Sequence, residues 1–156
     1  DLPDRKIIRN AVEMSNPLFR SIILLLASSG MAKVDMRRLS IKNFLDSTFQ
    51  YHRSENITDA VKIMMDLSEP IIPVWKLRRV KTNKYFITFN TPEATNEILN
   101  YLQLRLKKRE LKPVDKLLPV DSTYYTLKFE EMNDVFEKLW KVPTAKDDIE
   151  EDFKDV

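Results

Sequence analysis

Apolar side chains recur at helical spacing through most of the chain and alternate over one short stretch in its middle. Residues 17–28 are apolar on nearly every side, which is typical of a central helix. Asn16-Pro17 precedes them and supplies a capping side chain and a proline suited to the first turn. Gly30 follows them, and glycine after a helix is the usual left-handed stop because it has no Cβ to clash. The pattern predicts a buried helix that ends near Ser28.

Further helices are predicted on both sides of this central one. They are one helix through Ile7, Ile8, Ala11 and Val12, a short one with an acid at Asp35 and an apolar position at Leu39, and helices over about 41–50, 58–67, 92–109 and 126–141. The expected N-caps are Ser40, either Asn56 or Thr58, and Thr91. The expected buried positions of two of these helices are Ala60, Ile63, Met64 and Leu67 in one, and Ala94, Ile98, Tyr101, Leu102 and Leu106 in the other.

The alternating stretch covers residues 71–89. β-branched and aromatic residues in 71–80 and 85–89 flank the polar residues 81–84, which predicts a β-hairpin with a four-residue turn. If Trp75 and Leu77 face the helices, then Arg79 and Lys81 lie on the same side, beyond the edge of the core. A single glycine in 156 residues also favours helices over a many-stranded sheet. The predicted fold class is mainly α (α+β), a helical domain with a small antiparallel hairpin at one edge.

Charge is distributed unevenly, although the net charge is only +2. Residues 76–84 carry five bases and no acid, whereas residues 147–155 carry six acids and one base. We therefore divide the chain into a domain over 1–143 and an acidic tail over 144–156. The absence of cysteine excludes a disulfide framework and a cysteine zinc site, and fits a cytoplasmic protein. No apolar run approaches the roughly 18 residues that a membrane span needs.

Residues 24–44 and the hairpin resemble the catalytic domain of tyrosine recombinases, the phage-integrase family. An apolar helix, a glycine turn and an acidic helix follow one another in 24–44, and residues 79–85 look like the family's hairpin turn. The runs 85–105 and 123–140 look particularly like archaeal integrases of the virus and plasmid type. The resemblance covers about residues 4–140 and depends on the order and spacing of these segments.

The resemblance implies roles for several residues in transesterification at a DNA phosphate. In that family a tyrosine attacks the phosphate, a 5′-oxygen leaves, and fixed cations stabilise the growing negative charge. Lys81 matches the hairpin lysine that protonates the leaving oxygen, with Lys84 as the second choice. Asp35 is expected to orient the basic group of the glycine turn. The first catalytic arginine matches Ala32, and Lys33 is the neighbour that would replace it.

Other bases are candidate contacts to the DNA backbone, and the resemblance implies double-stranded DNA as the partner. These bases are Arg78, Arg79 and Lys84 on the hairpin, and Arg37, Arg38 and Lys42 on the helices. Simpler interpretations are edge-strand charges for the first set and a solvated helix face for the second. The resemblance implies no cofactor, metal or membrane, and it leaves open a homo-oligomer on DNA.

The family's His-x-x-Arg box and nucleophilic tyrosine are missing downstream of the last predicted helix. The expectation is a truncated recombinase that binds DNA but does not cleave it alone. His52, the only histidine, is expected at the surface, and Tyr124 and Tyr125 are expected to pack rather than react. Two alternatives remain. One is a DNA-binding relative that lost catalysis, with Ala32 as a true loss, and the other is an unrelated helical protein-interaction module.

Overall fold

The computed structural model describes residues 16–120 and Glu130. The chain divides into two units, and Asn16–Val120 is the one described in full. Its elements in chain order are α1 (Pro17–Ser29), α2 (Lys33–Arg37), α3 (Ile41–Ser47), α4 (Phe49–His52), α5 (Ile57–Asp66), β1 (Val74–Arg78), β2 (Tyr85–Phe89) and α6 (Pro92–Lys108). The predicted mainly α fold with a small antiparallel hairpin is confirmed. The predicted helices near Ile7 and from Thr126, Tyr124, Tyr125 and the acidic tail lie outside the described residues.

The central helix α1 begins and ends where the sequence predicts, to within one residue. The Asn16 side-chain oxygen accepts the backbone N–H of Phe19 at 2.9 Å, and Pro17 occupies the first turn. Gly30 ends the helix in the left-handed region, at φ 69°, and its N–H donates to the carbonyl of Leu26. These local signals therefore fix the position of the turn after α1.

The other predicted N-caps are also confirmed. Ser40 forms a capping box with Asn43 at the start of α3, and Thr91 caps α6. Of the two candidates for α5, the structure selects Asn56, whose side-chain oxygen accepts the N–H of Asp59 at 3.0 Å. A turn at Thr48 separates α3 from α4, so the single helix predicted over 41–50 is two short ones.

The core lies between the helices and one face of the hairpin. Helix α1 packs along α6, and α5 packs against α4 and α6. Trp75 on β1 is fully buried, with its ring centroid 6.0 Å from that of Phe44, and its indole N–H donates to Asn90 at 2.7 Å. Burying an aromatic side chain of this size dominates the packing energy of a small core.

The buried face of α5 differs from the prediction. Ile57, Ala60, Val61 and Met64 are buried, which is an i, i+3, i+4, i+7 stripe, whereas Ile63 is 39% exposed. Ile63 lies on the flank of this stripe, so helical spacing alone did not separate it from Val61. On α6 the buried positions are Ala94, Thr95, Ile98, Leu99 and Leu102, while the predicted Tyr101 and Leu106 are half-buried.

The segment after α6 is an ordered loop that closes over the start of α3. The N–H groups of Ile41 and Lys42 donate to the carbonyls of Asp115 and Pro113, both at 2.9 Å. The first N–H groups of a helix have no partner within the helix, so these bonds satisfy two of them. The segment thereby adds backbone support to α3.

Arg105 on α6 holds the same segment from the other side. Its Nη1 donates to the carbonyls of Lys116 and Leu117, at 2.9 and 3.0 Å. Partial burial of the guanidinium lowers the pKa of Arg105, against a raising effect from Tyr101. Arginine stays protonated under such conditions, so the side chain remains a fixed donor.

Candidate functional site

The hairpin turn lies one residue earlier than the sequence predicts. β1 and β2 pair antiparallel, with Arg78 opposite Tyr85. Arg79 donates its N–H to the carbonyl of Lys84 at 2.9 Å, and Asn83 donates to the carbonyl of Arg79 at 2.8 Å. The turn, called the hairpin tip below, is therefore Val80–Asn83, with Asn83 in the left-handed region at φ 56°. Lys84 lies between the hairpin tip and β2, where its carbonyl accepts the Arg79 N–H.

The two faces of the hairpin differ in their surroundings. On the inner face Trp75 lies opposite Thr88, and Leu77 lies opposite Phe86. The outer face consists of Val74, Lys76 and Arg78 on β1 and Tyr85, Ile87 and Phe89 on β2. Side chains alternate between the faces of a strand, so Arg78 and Arg79 belong to opposite sides. The two arginines therefore stay candidate phosphate contacts on different faces of the hairpin.

The inner face lies against the end of α1. The Thr88 hydroxyl donates to the carbonyl of Ser29 at 2.6 Å, and the Thr91 N–H donates to the Ser28 hydroxyl at 3.3 Å. These bonds join residues 59 and 63 positions apart in sequence. They hold β2 beside the segment Ser29–Lys33, called the glycine turn below; its last residue is also the first of α2.

A second connection joins the hairpin tip to α2. Asp35 is only 6% exposed, and its Oδ1 accepts the backbone N–H of Val80 at 3.0 Å. A hydrogen bond to a carboxylate is about twice as strong as one between neutral groups. The hairpin tip is thus attached to the helix that follows the glycine turn. Lys81 is the next residue along the chain and is exposed.

The side chains expected to contact a phosphate lie at this junction. Arg79 is exposed, and its guanidinium lies 4.7 Å from the ring centroid of Phe86 on the inner side of the hairpin. Lys33 is exposed and begins α2, and Ala32 is exposed at the N-cap without a side-chain hydrogen bond. The glycine turn and the hairpin tip therefore present bases from adjoining segments.

Asp35 has a different contact from the one expected. It was predicted to orient a basic group of the glycine turn, but the structure gives its carboxylate a backbone partner in the hairpin. Its observed contact fixes the backbone immediately before Lys81. This contact positions the hairpin tip, and the expected role of Asp35 toward a base in the glycine turn stays a prediction.

The remaining candidate bases make contacts elsewhere. Lys42 pairs with Asp46 in its own helix, with 3.0 Å between Nζ and Oδ2. The carbonyl of Arg37 accepts a hydrogen bond from the Lys116 ammonium, and Arg38 is exposed after α2. The exposed positions of Arg38 and Lys42 agree with the simpler interpretation of a solvated helix face, whereas Arg37 is half-buried.

His52 is not at the surface, which corrects the sequence-based expectation. It is 5% exposed, its Nε2 lies 2.9 Å from the carbonyl of Leu45, and its Nδ1 accepts the N–H of Ser54 at 2.9 Å. These partners require a neutral ring with its proton on Nε2. The residue ends α4, where an imidazole satisfies two backbone groups, so its role is structural.

A cavity of about 320 Å³ lies between α3, α4 and β1. It is lined by Asn43, Asp46, Ser47, Phe49, Gln50 and Val74–Leu77. The predicted residues Lys33, Asp35 and Lys81 do not line it. Within the described part of the chain, no cluster of His, Cys, Asp and Glu would hold a metal ion.

Sequence reasoning missed the apolar row on the outer face. Tyr85, Ile87 and Phe89 are 76%, 61% and 53% exposed. Every residue from Tyr85 to Phe89 is apolar, aromatic or threonine, so alternation alone did not say which set is buried. The pairing with β1 identifies the buried set, because the inward-facing Trp75 and Leu77 lie opposite Thr88 and Phe86.

Among the described residues, none of the helices is both long and apolar enough to cross a bilayer. No family model, curated protein or solved structure matches this chain.

Proposed function

We propose that the chain binds double-stranded DNA through phosphate contacts made by the hairpin tip and the glycine turn. The observation that carries the proposal is the hydrogen bond between Asp35 and Val80, which attaches the hairpin tip to α2, the helix that directly follows the glycine turn. Thr88 and Ser29 provide the second connection. Residues 79–84, at and beside the hairpin tip, supply three bases and no acid. A polyanion is the partner that such a charge distribution favours.

We further propose that the chain is part of a site-specific tyrosine recombinase acting in DNA integration. In this role Arg79 and Lys33 stabilise the negative charge that grows on the phosphoryl oxygens, and Lys81 donates a proton to the leaving 5′-oxygen. Asp35 is a positioning residue, since it holds the backbone that presents Lys81. The His-x-x-Arg box and the nucleophile are absent from the 156 residues. Strand cleavage is therefore proposed only for a longer protein that supplies them.

Ala32 favours a second candidate, a DNA-binding relative without catalytic activity. It is the exposed N-cap of α2 and supplies no cation where the family has an arginine. Lys33 brings a charge to the next position, but a lysine lacks the bidentate geometry of a guanidinium. Both candidates bind duplex DNA, and they differ only in strand cleavage.

Duplex binding is tested by fluorescence anisotropy at several salt concentrations. Each phosphate contact contributes a slope of about −0.9 in log K against log salt, so Lys81→Ala should weaken binding and flatten the slope by about one unit. Lys62→Ala removes an exposed lysine from α5 and serves as the matched control. Binding that is absent at low salt, or that Lys62→Ala and Lys81→Ala reduce equally, would contradict the proposal.

Catalysis is tested in a longer protein that contains the tyrosine nucleophile. Loss of a general acid typically slows a reaction by about 10²–10⁴-fold. Lys81→Ala should therefore reduce the rate of strand cleavage far more than the affinity for DNA. Equal losses in rate and affinity would reduce Lys81 to a phosphate contact, and no cleavage by the unaltered protein would favour the inactive relative.

A further inference from the structure

The outer face of the hairpin carries an organised surface that the proposed duplex-binding site does not use. Tyr85, Ile87 and Phe89 form a row on β2, and all three are more than half exposed. Lys76 and Arg78 form a parallel row on β1, directly opposite Ile87 and Tyr85. Opposed side chains in an antiparallel pair have their Cβ atoms roughly 5 Å apart. An apolar and aromatic row therefore lies directly beside a cationic row.

Arg78 and Tyr85 are already arranged as a stack. The guanidinium carbon lies 4.5 Å from the ring centroid, and Nη2 donates to the tyrosine hydroxyl at 2.7 Å. The hydrogen bond restrains an aromatic side chain that is otherwise 76% exposed. Planar aromatic rings and guanidinium groups are the surfaces on which unstacked nucleobases pack.

We propose that the outer face binds single-stranded nucleic acid, with bases packed on Tyr85 and Phe89 and phosphates beside Lys76 and Arg78. Tyr85 and Phe89 are four residues apart on one strand, so their rings are spaced at roughly 14 Å, with Ile87 midway. That spacing accommodates unstacked bases along an extended strand. The bases of duplex DNA are stacked on one another and cannot use such a surface, so the proposal concerns an unpaired strand.

Charge and shape favour this occupant over three others. A second copy of the chain that packed β1 over β1 would bring Lys76 and Arg78 opposite the same like-charged row, which is repulsive. A membrane surface would be met by apolar groups at the hairpin tip, but Lys81, Thr82 and Asn83 are polar there. An acidic peptide would satisfy the cations but would not require two exposed aromatic rings.

The first test measures binding of the full chain to a labelled short oligothymidine by fluorescence anisotropy. Packing of one base on an aromatic ring is worth about 5- to 150-fold in affinity, so Tyr85→Ala and Phe89→Ala should each reduce binding by a factor in that range. Tyr85→Phe should bind nearly as well as the unaltered chain, because it keeps the ring. Val114→Ala removes an exposed apolar group from the loop after α6 and should have no effect. Circular dichroism and thermal unfolding check that each variant is folded.

The second test identifies the contact directly. An oligonucleotide with 5-iodouracil at one position should cross-link under ultraviolet light to the peptide that contains Tyr85 or Phe89. A cross-link elsewhere, or equal affinity of Tyr85→Ala and the unaltered chain, would overturn the proposal. A third outcome would also overturn it: the chain binds phosphatidylserine vesicles but not oligothymidine, and Tyr85→Ala abolishes the vesicle binding. The outer face would then be a lipid-binding surface.

The proposal of single-strand binding, which does not depend on the proposed function, and the proposal of duplex binding can each be contradicted without the other. Loss of duplex binding in Lys81→Ala with retained oligothymidine binding would support both surfaces. Duplex binding that is unaffected by Tyr85→Ala, together with no binding to oligothymidine, would overturn only the single-strand proposal. Oligothymidine binding without any duplex binding would overturn only the proposed function.

Discussion

Replacing Asp35 tests how the hairpin tip is held. Its carboxylate is 6% exposed and accepts the Val80 N–H at 3.0 Å across 45 residues of sequence. Asp35→Ala leaves that N–H without its partner, and the loss of a hydrogen bond to a charged group costs about 1.5–3 kcal/mol. Asp35→Asn keeps an acceptor oxygen but removes the charge, and should cost about 1 kcal/mol. Either value is a large share of a total stability of roughly 5–15 kcal/mol.

The assay combines urea unfolding with hydrogen exchange at individual amides. The free energy of unfolding should fall in the order unaltered chain, Asp35→Asn, Asp35→Ala. If about 2 kcal/mol is lost locally, the Val80 amide should exchange roughly 30-fold faster in Asp35→Ala, since 1.4 kcal/mol corresponds to tenfold. The exchange rates of amides in the middle of α1 should rise only by the amount that the loss of global stability explains.

Asp46→Ala is the matched control for Asp35→Ala. Asp46 is an exposed acid whose pair with Lys42 spans one helical turn, and such pairs contribute less than about 0.5 kcal/mol. Equal stability of the two alanine variants, together with an unchanged exchange rate at Val80, would contradict this restraint. The carboxylate would then not hold the hairpin tip in solution.

Three further substitutions test other parts of the structure by urea unfolding. Gly30→Ala should cost about 1–2 kcal/mol of stability, and this cost should be backbone strain at φ 69° alone, since no atom lies within 4 Å of the added Cβ. Gly30→Asn should cost less, because asparagine adopts the left-handed region more easily. A larger loss for Gly30→Ala would indicate a steric clash. His52→Ala should cost about 2–4 kcal/mol, since Leu45 and Ser54 both lose a partner, and a loss below about 0.5 kcal/mol would contradict the structural role. Arg105→Ala should cost about 1–2 kcal/mol and accelerate amide exchange in the segment after α6, and unchanged exchange there would disprove the restraint.

Local features of the fold were predictable because their causes are adjacent in sequence. Asn16, Ser40 and Thr91 cap helices by bonding N–H groups three residues ahead, so short windows of sequence contain the whole interaction. Gly30 stops α1 for an equally local reason. Strand alternation placed Trp75 and Leu77 on one face, and in the structure Trp75 on that face is fully buried.

Features that depend on distant partners were not predictable in the same way. The bonds from Val80 to Asp35 and from Thr88 to Ser29 join elements whose relative placement no short window specifies. His52 was placed at the surface because a lone histidine usually lies there, whereas packing buried it at the end of α4. Ile63 was placed in the core because helical spacing tolerates several neighbouring stripes, and only contact with other helices selects one.

The candidate site was predictable in part. The expected side for Arg79 agrees with the structure, where its guanidinium lies over Phe86 on the inner side. The position of Lys84 was wrong by one residue because hairpin closure depends on two hydrogen bonds, from Arg79 to Lys84 and from Asn83 to Arg79, that composition does not reveal. The roles of Lys81, Lys33 and Asp35 at a phosphate stay predictions.

The glycine turn and the hairpin tip are proposed to form one phosphate-binding surface. Nuclear magnetic resonance titration of the chain with a short DNA duplex tests this directly, through the backbone amide signals of residues 29–35 and 79–84. We predict that both segments shift together and give the same dissociation constant. Signals that shift in only one of the two segments, or only on other surfaces, would contradict the account.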